Sequence, residues 1–261
     1  MNDGTPPGKS AAAGSEPVLE IAGRRGTIRL NRPARHNRLE RADLIALDAI
    51  LAALEVRRDL RVVILTAGGP SFSSGYDLNA LAGADGPAIP FDQVVDRLEA
   101  LPLPTICAFN GSVYGGSTDL ALACDFRIGI DGMTFLMPAA RIGMHYYASG
   151  LRRFVAKLGP AAAKRAFLLA ETLDAPTLLA LGYLDRLVPA DRLADAVDEL
   201  ARRLEANAPN AVRGMKRAID QLAHGDADLA AVQAAHIACH GSAELAEGLR
   251  AFAEKRAPVF E

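Results

Sequence analysis

Residues 102–129 read PLPTICAFNGSVYGGSTDLALACDFRIG. After the prolines, TICAFNG (105–111) has the apolar density of a buried strand. Gly115 and Gly116 then precede the polar triplet Ser117, Thr118 and Asp119. An apolar helical run, DLALACD (119–125), follows, and FRIGI (126–130) resumes as a second strand. Strand, glycine turn, helix and strand in succession form the unit of an α/β fold. The stretch also sets a chemical question, because it places an acid on the first turn of a helix that is otherwise apolar, directly behind a bare Gly-Gly backbone.

The flanking sequence repeats the alternation. TIRLN (27–31) and RVVILT (61–66) read as further strands. In ERADLIALDAILAALEV (40–56), Leu44, Leu47, Leu51 and Leu54 share one helical face. FDQVVDRLEALP (91–102) gives another helix, ended by Pro102 and Pro104. From about Ala190 the pattern becomes helix after helix: DRLADAVDELARRLEANAP, NAVRGMKRAIDQLAHG, DADLAAVQAAHIACH and SAELAEGLRAFAEKR. Such a run cannot all pack on one sheet. Residues 196–261 are therefore read as a helical domain whose apolar faces suit subunit contact, behind an α/β core at 17–195. Residues 1–16, rich in Gly, Pro, Ala and Ser, are expected to form a disordered arm without the features of a secretory signal. AGADGPAIP (82–90) reads as a mobile lid or a plain surface loop.

Composition narrows the function classes. The 261 residues are 50% hydrophobic and 23% charged, as expected of a soluble globular chain. A formal charge of −2 makes no electrostatic case for nucleic acid or an anionic membrane. No apolar run approaches the roughly 18 residues that span a bilayer. Cys107, Cys124 and Cys239 are odd in number and lack CxxC spacing, which argues against a disulfide framework or structural zinc and fits a reducing cytoplasm. His236 and His240 stand four apart on a helix, but with no HExxH and no third ligand nearby they are read as a satisfied surface or core pair, and no metal is expected. Walker A, GxGxxG and GxSxG patterns are absent.

Two segments share one design. SFSSGYDL (71–78) follows RVVILT, and NGSVYGGSTDL (110–120) follows TICAF. Each places glycine where a strand ends and a helix approaches, so that backbone N–H groups point outward and the helix dipole adds positive potential. Two such turns side by side could aim two donors at one oxygen, an oxyanion hole in which each donor is worth about 2.7–4 kcal/mol in the transition state. Steric turn formation alone would also explain the glycines.

The order and spacing of IRLNRPARHNRL (28–39), VRRDLRVVILTAGGPSFSSGYDL (56–78), the opening stretch, FLMPAARIG (135–143) and FAEKRAPVF (252–260) resemble the crotonase, or enoyl-CoA hydratase/isomerase, superfamily. The resemblance runs from about Pro17 to the C-terminus. It implies a spiral of ββα units with a C-terminal helical trimerisation domain, a homotrimer or a hexamer built as a dimer of trimers, and an acyl-CoA thioester substrate with coenzyme A as its only cofactor-like part. Position by position, it implies oxyanion N–H groups at Tyr76 and Gly116, an acid/base at Asp119 where the family has Glu, and substrate contacts around Ser74, Gly75, Asp77 and Gly115. Arg35 and Lys255 match basic residues near the CoA, Lys255 reaching that of a neighbouring subunit. Tyr replaces Ala at 76 and Ser replaces Gly at 117; neither removes a backbone donor.

One departure bears on the reaction. The family's second Glu is Ala139 here, and two carboxylates are what hold and split water in hydration. His145, Tyr146 and Tyr147 replace a glycine-rich turn and are expected either to point polar tips into the acyl pocket or to fill it. Tyr146 aligns with a tyrosine of methylmalonyl-CoA decarboxylase and is taken as catalytic with Asp119. The expected function is enoyl-CoA hydratase/isomerase chemistry through a stabilised thioester enolate. Decarboxylation of a malonyl- or methylmalonyl-type thioester, and a non-catalytic acyl-CoA-binding homologue, are the alternatives.

Overall fold

The computed structural model describes residues 14–77 and 89–260. Most of the expected N-terminal arm and of the 82–90 loop lies outside them. Strands β1 (Val18–Ala22) and β2 (Arg25–Leu30) form an antiparallel hairpin. Strands β3 (Val62–Ala67), β4 (Thr105–Ala108), β6 (Phe126–Ile130) and β9 (Arg186–Val188) then add in parallel, giving the sheet order β1-β2-β3-β4-β6-β9. A second, three-stranded sheet joins β5 (Val113–Tyr114), β7 (Thr134–Leu136) and β8 (Leu173–Asp174).

The central strand VVILTA is almost continuously apolar because both faces of the sheet are covered. Val63, Leu65 and Ala67 face the main core with Leu44, Leu47, Leu51 and Leu54 of α1 (Arg41–Glu55) and Val94, Val95 and Leu98 of α2 (Phe91–Glu99). Val62 and Ile64 face the other way, into a smaller cluster with Ile106, Ala108, Ile128 and Val188. Ala196, Val197 and Ala201 of α6 (Leu193–Glu205) close that second cluster. The boundary read at 195/196 therefore falls inside α6, whose small apolar stripe belongs to the sheet.

Helix α3 (Gly116–Leu122) leaves the site, and α4 (Ala148–Leu168) packs beside it until Gly159, where φ is +77° and Pro160 follows, breaking the helix. After α5 (Ala175–Ala180) and α6 come α7 (Pro209–His224), α8 (Leu229–Cys239) and α9 (Ala243–Ala253). These last three carry exposed Ile219, Leu229, Ile237, Leu249 and Phe252. The strand TICAFNG stops at Ala108, earlier than its composition indicates, because Phe109 turns into the core against Phe72, with ring centroids 4.9 Å apart.

Candidate active site

The parallel pairing of β3 with β4 carries the two glycine turns out of the sheet as neighbours. They are sewn together by backbone bonds, Phe72 N–H to the Ser112 carbonyl (3.0 Å) and Tyr114 N–H to the Ser73 carbonyl (3.0 Å). The Ser73 hydroxyl, fully buried, donates to the Asn37 carbonyl at 2.7 Å. With its proton so used, it accepts from Ser117 Oγ (2.7 Å) and from Gly75 N–H (3.2 Å). Ser117 thus does more than stand where the resembling family has a third glycine: it locks the start of α3 to the other turn.

Contact between the turns is backbone on backbone. Gly75 has φ +96°, and a Cβ there would lie 2.9 Å from the Tyr114 carbonyl oxygen. Only a residue without a side chain fits. Tyr76 follows directly. Leu39 N–H donates to the Gly75 carbonyl and Asp77 N–H to the Leu39 carbonyl, so the bridge from Leu39 takes the groups on either side of the Tyr76 N–H. Gly116 is the first residue of α3, where an N–H has no acceptor within the helix. Among the described residues, neither the Tyr76 nor the Gly116 N–H makes a backbone hydrogen bond.

Asp119 lies one turn along α3 and is completely buried. Arg153 of α4, also with no exposed surface, donates to Asp119 Oδ1 at 2.7 Å. The hydroxyl of Tyr146 reaches Oδ2 at 3.3 Å, and the hydroxyl of Tyr147 bonds the same oxygen closely. Arg153 further pairs with Asp96 (2.6 Å) and Glu99 (2.9 Å) of α2. Burial holds the Asp119 carboxyl above the ordinary aspartate range, an effect that Arg153 and the Tyr147 hydrogen bond offset only in part. Burial and the adjoining carboxylate likewise push both tyrosine hydroxyls upward, so they remain protonated donors. Arg153 stays charged: its burial is outweighed by Asp119 and Glu99.

Aromatic rings line this cluster. Tyr146 and Tyr147 stack at 4.3 Å, and Tyr147 meets Phe91 edge-on at 6.3 Å. Phe91 lies 5.9 Å from the Tyr76 ring and covers Gly116, where a Cβ would come within 2.9 Å of its Cζ. The Tyr76 hydroxyl is buried without a hydrogen-bond partner among the described residues. Ala139 is buried in the main core, at the start of a short 3₁₀ turn (Ala139–Ile142).

The remaining expected site residues divide. Gly75 and Gly115 form the touching turns. Ser74 is exposed, its hydroxyl directed to the Arg35 carbonyl, and Asp77 pairs with Arg38 at 3.2 Å. Arg35 is exposed and pairs with Glu40 at 2.8 Å; Lys255 is exposed just beyond α9. His145 is exposed, and its Nδ1 bonds the neighbouring Tyr146 carbonyl at 2.8 Å, while Tyr146 itself is buried. The reading of His236 and His240 as lacking a third ligand is corrected. One helical turn brings the Cys239 thiol to them, with all three ligand atoms within 4.8 Å of one another.

Arg153, Ser73 and Ser117 were missed by sequence reasoning, and Tyr147 was given no role of its own. Arg153 had a signal. It falls with Gly150 and Phe154 on the buried face of α4, and a guanidinium in that register requires a buried anion. The serine clasp had none, since its partners are 44 residues apart.

A buried acid beside two bonded glycine turns at the ends of adjacent parallel strands defines an enzyme of the crotonase type. A family model described as enoyl-CoA hydratase/isomerase matches residues 24–261. The chain is 31% identical over 248 residues to the short-chain-enoyl-CoA hydratase of Clostridium acetobutylicum, covering 92% of this chain and 95% of that one. It is 31% identical over 256 residues to the carnitinyl-CoA dehydratase of Citrobacter koseri, with 94% and 95% covered. The crystal structure of an enoyl-CoA hydratase from Bacillus anthracis superposes with a TM-score of 0.86 at 30% identity, over 94% of this chain and 99% of that one. The protein belongs to the enoyl-CoA hydratase/isomerase family, with the crotonase fold and acyl-CoA hydratase/isomerase-type function.

Proposed function

We propose that this protein moves protons on enoyl-CoA thioesters with one carboxylate, shifting a double bond more readily than it adds water. Carrying this reading is the buried Asp119 beside the N–H groups of Tyr76 and Gly116, which make no backbone hydrogen bond among the described residues, with apolar Ala139 where a second acid would stand. The two N–H groups bind the thioester oxygen and bind it more strongly as it becomes an enolate, which is what lowers the barrier. Removing a proton from one carbon and returning it to another needs one acid/base group. Hydration needs one group to take a proton from water and another to protonate the α-carbon. Asp119, raised by burial, is a stronger base than a solvated carboxylate.

Coenzyme A enters as part of the substrate, and no separate cofactor is called for by this chemistry. Arg35, in a surface ion pair of little net worth, and Lys255 are assigned to its phosphates, a reading supported by the exposure of both side chains. Assembly as a homotrimer or a dimer of trimers is supported by the apolar surface of α7–α9, and a reducing cytoplasm by three free cysteines. The test compares crotonyl-CoA, followed by loss of enoyl absorbance on hydration, with a 3-enoyl-CoA, followed by its gain on isomerisation. Isomerisation is expected to be the faster by at least tenfold and to vanish in Asp119→Asn. Hydration at an equal or greater rate would overturn the single-acid mechanism, and inactivity on both substrates would overturn the enzymatic reading.

A further inference from the structure

We infer that the group exchanging protons with the substrate carbon is the hydroxyl of Tyr147, with the Asp119 carboxylate held behind it as the proton store. The inference rests on the reading of Tyr76 and Gly116 as the thioester oxygen's donors. Asp119 has no exposed surface, and each of its sides is occupied. Arg153 fills Oδ1, the two tyrosine hydroxyls fill Oδ2, and α4 closes the remaining side so tightly that a Cβ on Gly150 would lie 2.6 Å from Oδ2. A substrate carbon cannot touch this carboxylate without dismantling the cluster.

Of the described groups bonded to Asp119, only Tyr147 leads outward. Arg153 is fully buried, and Tyr146 is 8% exposed, its ring packed between Tyr147 (4.3 Å) and Phe167 (5.0 Å). Tyr147 is half-buried, and its ring meets Phe91, whose own ring covers Gly116. The path from the Gly116 donor to the carboxylate therefore runs over Phe91 and through the Tyr147 phenol. Aspartate is one methylene shorter than the glutamate of the resembling family, and the phenol spans the shortfall.

The step balances without another reactant. As the C–H bond at the α-carbon breaks, its electron pair becomes the enolate, with negative charge on the thioester oxygen. The released proton passes to the Tyr147 oxygen while the phenol's own proton passes to Asp119 Oδ2. Reversal returns a proton to the same carbon or, in isomerisation, to the γ-carbon.

Exchange of the α-protons of butyryl-CoA in D2O, read by NMR, isolates this step from turnover. Tyr147→Phe keeps the ring, its stacking and its contact with Phe91 while deleting the hydroxyl. We expect exchange to fall by at least 100-fold, with butyryl-CoA affinity within threefold and a cooperative melting transition retained. Exchange within threefold of the unaltered protein would overturn the inference. If the unaltered protein binds no acyl-CoA and exchanges nothing, the underlying reading fails instead. Release of tritium from α-tritiated butyryl-CoA, compared in H2O and D2O, separates proton transfer from mere positioning of Asp119. A transferring phenol moves its own exchangeable proton in the same step and slows release in D2O, whereas equal rates in the two solvents would overturn the transfer role.

Discussion

Arg153 is the residue on which the acid cluster depends. Its guanidinium, with no exposed surface, neutralises Asp119 and pairs with Asp96 and Glu99 on a second helix. Methionine has a comparable reach but would leave the buried Asp119 carboxylate without its counter-charge, while Glu99 would keep Lys157 at 3.7 Å. Arg153→Met is expected to cost about 3–5 kcal/mol in urea unfolding. Adding Asp119→Asn should return part of that loss, because the two changes share one interaction. A strictly additive double mutant would show that the pair contributes nothing beyond its parts.

At the scale of elements, the Gly75 turn is the sensitive joint. Gly75→Ala places a methyl 2.9 Å from the Tyr114 carbonyl at a φ of +96°, costing about 1–3 kcal/mol in strain. It also spreads the turns, and a displacement near 1 Å costs roughly 10²-fold in rate. A fall in kcat of at least tenfold, with helical circular dichroism intact, is the expected result from steady-state kinetics. Sequence alone located this turn, because glycine after a buried strand is a local signal. It also located α1, whose four leucines are each buried to within 2%. It did not find β1, a mostly exposed edge strand without a buried alternation, nor β5, β7, β8 or β9, since strands of two or three residues are too short to show a period and exist through their pairing. The candidate site divides the same way. Gly75, Gly116 and Asp119 stand in readable motifs, while the Ser73–Ser117 clasp and the Arg153–Asp119 pair join distant segments that only the folded chain brings together.

For the whole molecule, the lopsided burial of the C-terminal helices matters most. Phe252 is 85% exposed and Ile237 61% exposed, on helices whose neighbours within the chain cover little of them. In the proposed assembly, apolar side chains this bare would meet another copy. Light scattering should give the mass of three or six chains. Ile237→Asp with Phe252→Glu should shift it to one; a single-chain mass for the unaltered protein would refute the assembly.

The donor pair and the acid cluster have different origins. The N–H groups of Tyr76 and Gly116 are backbone, and their spacing is inherited from the hydrogen-bonded ladder between β3 and β4. In the proposed mechanism, positions 119, 139, 146 and 147 act through side chains alone. An engineer can therefore treat the first as a fixed socket and the second as interchangeable fittings. Varying those four positions together should change which proton moves while leaving thioester recognition in place.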